Sequence, residues 1–316
     1  MTFPLLRLSE NARQLVLRNM DMQTQITFSF ISKRSKTLIK HLNIHVSEFE
    51  LHSFHLRFFI KTRNPEYSCS VNIECRQGGH AGAYFICEDY HWCKAKYTMR
   101  DWLDHLLSVM NPKKIDKLGL SDSRFTLKLL AETLGEFKIV EGIIQPNFPE
   151  TAIRDVLNSF PLIRLFVISR TFFADQEALK KLLVQNFDYL NIGYYCSFCS
   201  PEITLDHLLS INATSVYIAG CGPTSEDIRR FVKLWIQGGC NPRLKYLTLL
   251  YTNIKPRIRK EEILDGLQYR EWKEHEKFGT LSRVRNGYEI QRKKDGARAR
   301  LHFYHGPNRI DFFVCD

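Results

Sequence analysis

One phrase, apolar-x-x-apolar-x-apolar, returns five times through the middle of the chain and limits what the chain can fold into. It reads Leu134-x-x-Phe137-x-Ile139, Leu162-x-x-Leu165-x-Val167, Phe187-x-x-Leu190-x-Ile192, Ala213-x-x-Val216-x-Ile218 and Leu244-x-x-Leu247-x-Leu249, with steps of 28, 25, 26 and 31 residues. A weaker copy, Ile115-x-x-Leu118-x-Leu120, stands upstream. Alternation inside each phrase predicts a short strand with one face in a core. Between phrases the apolar residues change to helical spacing: Ala152, Val156, Leu157; Ala178, Leu179, Leu182, Leu183; Ile203, Leu205, Leu208, Leu209. Strands separated by helices predict parallel pairing, because a parallel crossover needs a long connection. Val167, Ile192, Ile218 and Leu249 are then expected side by side in one layer of one sheet.

The longest helical pattern holds Ile228, Phe231, Val232, Leu234, Trp235 and Ile236. Thr224 and Asp227 form a capping-box-like start, and Gly238-Gly239 supplies a residue free to take positive φ at its end. The steps lie close to the roughly 20–29-residue period of leucine-rich repeats, so residues 111–270 read as a leucine-rich-repeat-like α/β solenoid with parallel strands. A doubly wound α/β domain is the alternative. Downstream, Tyr288-Glu289-Ile290, Ala299–Tyr304 and Ile310–Val314 alternate like strands, joined by Lys294-Asp295-Gly296 and Gly306-Pro307-Asn308. Turn chemistry of this kind predicts a small antiparallel β meander over 271–316. Residues 45–110 form a mixed β/α segment, with strands expected at Val46–Leu51, Leu56–Ile60 and Ser70–Cys75 and a helix at Met99–Met110. The fold class is α+β overall.

Composition narrows the function classes. No segment approaches the ~20 apolar residues of a membrane span. Arg7, Glu10 and Arg13 stand where a signal peptide needs an apolar run. Nine cysteines without a framework spacing fit reduced thiols, so a cytoplasmic or nuclear location is expected. The net charge of +11 is concentrated: residues 243–300 hold 16 Lys/Arg against 8 Asp/Glu. No nucleic-acid-binding signature accompanies it, which leaves Arg257, Arg259, Lys260, Arg298 and Arg300 as a rim for an acidic protein partner or as a merely solubilising face. Cys196-x-x-Cys199 lacks a second pair, and Cys75, His80, Cys87, His91 and Cys93 match no standard zinc spacing, so no metal is expected. His41, His45, His52 and His55 read as ordinary strand or helix-end positions. Without a nucleophile elbow, a His-Glu-x-x-His or a phosphate-cradling loop, no catalysis and no cofactor is expected.

The first forty residues carry a second pattern. Phe3-Pro4-Leu5-Leu6-Arg7-Leu8 leads to a helix behind Ser9 with Ala12, Leu15, Val16 and Met20 on one stripe. Asp21 caps a second helix with Met22, Ile26 and Phe30, and Leu38, Ile39 and Leu42 mark a third after Ser32-Lys33-Arg34-Ser35-Lys36. So few residues bury too little to stand alone, which points to a docking face. This order resembles an F-box, in the form found in the large nematode-type F-box family, whose members open on Phe-Pro-Leu-Leu-Arg-Leu-Pro; Ser9 replaces the family's second proline. The region after it resembles the F-box-associated domain of the same family. The resemblance implies an F-box over 1–44, an F-box-associated region over 45–316, and adaptor contacts from Pro4, Leu5, Leu8, Leu17, Met20, Phe30 and Ile31. It further implies a non-catalytic substrate receptor that joins a Skp-type adaptor, and through it a cullin–RING ubiquitin ligase, to a target protein. The competing readings are a repeat scaffold whose N-terminal helices only cap its first unit, and a basic nucleic-acid-binding protein.

Overall fold

The computed structural model describes residues 5–53, 57–61, 69–75, 81–85, 91–93, 97–121, 127–169, 173, 175–193, 203–220, 222–251, 258–273, 286–304 and 308–315. The chain forms two compact units, residues 1–140 with 159–162, and residues 141–158 with 163–316. No unit boundary falls at 44/45, and the reason lies in what the first helices pack against.

The first unit opens on a 3₁₀ turn, Leu5–Arg7, and three helices: α1 (Glu10–Arg18), α2 (Met22–Ile31) and α3 (Lys33–His41). Each start has a local cause. The Ser9 carbonyl accepts the first helical bond from Arg13 N–H at 2.9 Å, although its hydroxyl caps nothing. The Asp21 carboxylate accepts from Thr24 N–H at 2.7 Å, and Ser32 and Ser35 form a reciprocal capping box. Strands β1 (Glu48–His52), β2 (Arg57–Lys61), β3 (Cys69–Cys75), β4 (Ala81–Phe85) and β5 (His91–Cys93) follow, then α4 (Met99–Met110), β6 (Ile115–Leu120) and α5 (Leu127–Leu134). β1 to β5 form an antiparallel meander, and β6 joins β1 in parallel, with Leu51 opposite Leu118. Helix α4 completes the core that α1–α3 lack. Phe30 meets Trp102 edge-on at 4.8 Å and His105 at 4.9 Å, while Ser29 Oγ and His105 Nε2 lie 2.9 Å apart.

From β7 onward the chain alternates strands and helices: β7 (Ile139–Ile144), α6 (Ile153–Ser159), β8 (Leu165–Ile168), α7 (Gln176–Leu183), β9 (Tyr189–Ile192), α8 (Leu205–Ser210), β10 (Ser215–Ala219), α9 (Ser225–Gln237) and β11 (Tyr246–Tyr251), nearly all of them in the second unit. β7 through β11 lie side by side in chain order, each parallel to the next. After α10 (Lys260–Leu264), four antiparallel strands follow: β12 (Arg270–Lys273), β13 (Asn286–Gln291), β14 (Arg298–Tyr304) and β15 (Asn308–Cys315). β15 pairs antiparallel with β11, so the expected meander extends the parallel strands. α9 starts on the expected capping box, with Asp227 N–H donating to Thr224 Oγ1 at 3.1 Å, and ends on Gly238 at φ +79°. Its Phe231 and Trp235 meet Phe312 edge-on at 5.8 and 5.2 Å, which fixes the core face of β15.

The strand register corrects the repeat. Ile192, Ile218 and Leu249 are neighbours in one buried layer, but their partner on β8 is Ile168, while Val167 pairs with Asn191 on the opposite face. A one-residue slip moves every side chain of a strand to the other face. The phrase on β8 is therefore Ile163-x-x-Phe166-x-Ile168, and on β7 it is Ile139-x-x-Gly142-x-Ile144. Leu134 and Phe137 precede β7. With Ile115, the starts now fall at 115, 139, 163, 187, 213 and 244, so the first three steps are each 24 residues. Gly142 takes an apolar position because the Phe166 ring fills its place; a Cβ there would lie 2.9 Å from Phe166 Cδ2.

Candidate functional site

Two surfaces carry the residues singled out by sequence. On the N-terminal helices the seven expected adaptor contacts divide by burial. Leu17 and Phe30 are buried inside the first unit, and Pro4 lies outside the described residues. Leu5, Leu8 and Met20 are half-buried. Ile31, the last residue of α2, is 72% exposed, and two apolar side chains that sequence reasoning left off the contact set are exposed as well, Leu15 at 64% and Leu6 at 43%. Leu17 and Phe30 therefore serve as core, and a charge placed at Leu17 would disrupt the helices before it disrupted a complex. The α1–α2 corner is held by buried Gln25, whose Nε2 donates to the Leu17 and Met20 carbonyls at 2.8 and 3.1 Å. No spacing rule flags that glutamine. Exposed Lys33 and Arg34 lie just beyond Ile31, so the apolar residue sits beside cations.

The second surface belongs to the C-terminal unit. On the sheet face opposite α9, a row of rings crosses the strands: Tyr246 stacks on Phe313 at 5.6 Å, and Phe313 on His302 at 5.0 Å. Trp272 closes the row, edge-on to His302 at 5.8 Å. Charges on this face are largely satisfied within it. Asp311 accepts from Arg309 Nε and Nη2 at 2.8 and 2.7 Å and from Thr248 Oγ1 at 2.9 Å. Burial, together with the Asp311 charge and hydrogen bond, pushes the Tyr304 hydroxyl up to about 12. Arg300 is buried, bonded to Glu289 at 3.2 Å and lying 4.2 Å above the Trp272 ring. It is an interior ion pair, not the rim cation expected from sequence, because strand alternation turns it onto the ring row.

The other expected cations scatter. Arg257 lies outside the described residues. Arg259 is exposed and pairs with Glu262 within α10, and Lys260 approaches the Tyr288 hydroxyl at 3.4 Å. Arg298 is exposed, 3.8 Å from Glu289, and borders a cavity of about 980 Å³. This open cavity is lined by the end of α9, the segment leading into β12, and the β13–β14 hairpin; it adds Lys233, Arg270, Arg292 and Lys293 to Arg298, against Glu289 alone. Those added cations are spread over 60 residues of sequence, so no local motif announces them.

Cys196 and Cys199, and the side chains of Cys75, His80, Cys87, His91 and Cys93, lie outside the described residues. Among the described residues, no group of three or more His, Cys, Asp or Glu could hold a metal ion, and no helix is long and apolar enough to cross a membrane.

Two protein families match the chain: the F-box domain over residues 5–47 and the F-box associated family over residues 178–249. The first spans the three N-terminal helices; the second runs from α7 through β11 and so covers three of the repeated strands and the helices between them. No curated protein and no solved structure matches the chain.

Proposed function

For a chain that matches an F-box protein with a C-terminal F-box-associated domain, we propose the role of substrate-recognition subunit in a Skp/cullin/F-box ubiquitin ligase. The observation that carries this reading is the coincidence of the F-box match with three short helices that leave Leu6, Leu15 and Ile31 exposed. Apolar side chains on a helical face anchor a complex through desolvation, and cations at the rim, here Lys33 and Arg34, set rate and register. Leu5, Leu8 and Met20 are half-buried in the same N-terminal segment. The chain acts as a non-catalytic receptor in the cytoplasm or nucleus: it holds the Skp-type adaptor with its first unit and a target protein with its second, and ubiquitin transfer belongs to the other ligase subunits. The strand–helix succession from β7 to β11 supports reading that part of the second unit as a leucine-rich-repeat-like array, an architecture that presents an extended binding surface.

Co-expression with a Skp-type adaptor and its cullin tests this role. The full chain is expected to retain both on purification, and Ile31→Asp to lose both while remaining soluble. Retention of neither by the wild-type chain would support the alternative of a repeat scaffold without a ligase role.

A further inference from the structure

We propose that the 980 Å³ cavity beside the end of α9 is the seat for a short acidic segment of a target protein. The proposal rests on the receptor reading only for the source of the segment; the chemistry rests on three features of the cavity.

The first is its charge balance. Lys233, Arg270, Lys293 and Arg298 reach it from three separate stretches of chain. Its one carboxylate, Glu289, is already engaged by Arg300 at 3.2 Å and approached by Arg298 at 3.8 Å. Arg292 is likewise engaged, bonded through two nitrogens to Asp295 and set over the Trp235 ring at 4.9 Å. That leaves Lys233, Arg270 and Lys293 with no carboxylate within ion-pair distance among the described residues. Like charges gathered in a concave site raise the local concentration of an anionic partner.

The second is an exposed strand edge. Arg292 N–H donates to the Ala297 carbonyl across the β13–β14 hairpin at 2.7 Å. Strand alternation then turns the Gln291 N–H and carbonyl the other way, toward the side where β12 lies. The β12–β13 ladder stops at the pair Arg270 and Glu289, so Gln291 has no β12 partner, and it lines the cavity. A peptide segment offers the matching backbone donor and acceptor, which a free inorganic anion does not.

The third is rigidity of the walls. Lys293 N–H donates to the Ile236 carbonyl at 2.7 Å and ties the hairpin to the end of α9. Trp235 and Ile290, beneath the site, are buried. A wall already ordered loses little freedom when a segment binds.

The test uses the full-length chain and a fluorescein-labelled hexaglutamate peptide followed by anisotropy, with hexaglutamine and inorganic phosphate as comparisons. Hexaglutamate is expected to saturate and to weaken as salt rises past ~0.15 M; hexaglutamine is expected not to bind, and phosphate to compete poorly. Arg270→Ala with Lys293→Ala, both exposed positions, is expected to weaken binding by about tenfold or more. Lys233→Ala with Arg298→Ala leaves the hairpin tie and β12 alone and is expected to act in the same direction. Lys113→Ala with Lys114→Ala, in the other unit, is expected to change nothing. Binding by both cavity variants within about twofold of wild type would overturn the proposal, as would complete competition by phosphate at the same concentration as the peptide. Adaptor retention measured on the same variants is expected to be unchanged, so failure of this site and failure of the F-box reading give different results.

Discussion

Replacing Ile168 by Ala, set against Leu162→Ala, decides which frame of the repeat builds the core. Ile168 is fully buried on β8 between Ile144 of β7 and Ile192 of β9. The change removes three side-chain carbons, about 2.4 kcal/mol at ~0.8 kcal/mol per carbon. The flanking strands are held by the ladder and cannot close over the gap, so the unrelaxed cavity raises the loss to about 3–4 kcal/mol, inside the ~2–5 kcal/mol range for such truncations. Leu162 is 66% exposed, and its truncation is expected to stay within about 0.5 kcal/mol. Urea unfolding followed by far-UV circular dichroism reads the difference directly. With a slope of about 3 kcal/mol per M, the Ile168 variant moves the midpoint down by about 1 M, and the Leu162 variant leaves it in place. Equal effects, or a larger effect at Leu162, would refute the register that places Ile168 in the layer of Ile192, Ile218 and Leu249.

Two further outcomes follow from local geometry. Burial alone would raise the Glu50 carboxyl, but hydrogen bonds with Lys117 and His52 and the Lys117 charge outweigh it and hold the group at about 2, below its ordinary 4.5. A depressed carboxyl stabilises the fold fully above its unfolded pKa and loses that contribution as pH falls through the folded one. The first unit should therefore lose stability between about pH 4.5 and pH 2, and a thermal melt of Glu50→Gln should show a flatter slope across that window. At Gly287, an added Cβ would lie 2.6 Å from His302 Cε1, in a ring fixed by stacking on Phe313 at 5.0 Å. Gly287→Ala should accordingly cost about 1–3 kcal/mol in denaturant unfolding, and an unchanged midpoint would show that the ring moves freely.

Much of the architecture was legible because its signals are local. The capping residues Asp21 and Thr224, the apolar stripes of α7 and α9, and the turn chemistry around Asp295-Gly296 all act within a few residues of themselves. The frame on β8 was not legible. Leu162 through Ile168 is apolar apart from Arg164, so alternation alone cannot say which residues face the helices, and the answer comes from Ile144 and Ile192 on neighbouring strands. The phrase on β7 was hidden by Gly142, whose missing side chain is supplied by Phe166. β12 was missed because Arg270-Glu271-Trp272-Lys273 is mostly polar, as suits an edge strand. Phe30 read as a docking residue because α4, which lies some 70 residues beyond it, is what completes its core. Arg300 read as a rim cation because only strand pairing shows that it lies against Trp272.

The most direct measurement of the receptor role is a calorimetric titration of a purified Skp-type adaptor into the full-length chain, repeated for Leu15→Asp with Ile31→Asp and for Leu162→Asp. All three positions are exposed, so the fold tolerates each change, but only the first two lie in the F-box match. A charge driven into a desolvated helical interface costs about 2–5 kcal/mol, which predicts a Kd raised by roughly 30-fold or more for the double variant and unchanged for Leu162→Asp. An unaltered Kd for the double variant would contradict docking through this face, and no binding by the wild-type chain would contradict the receptor role itself.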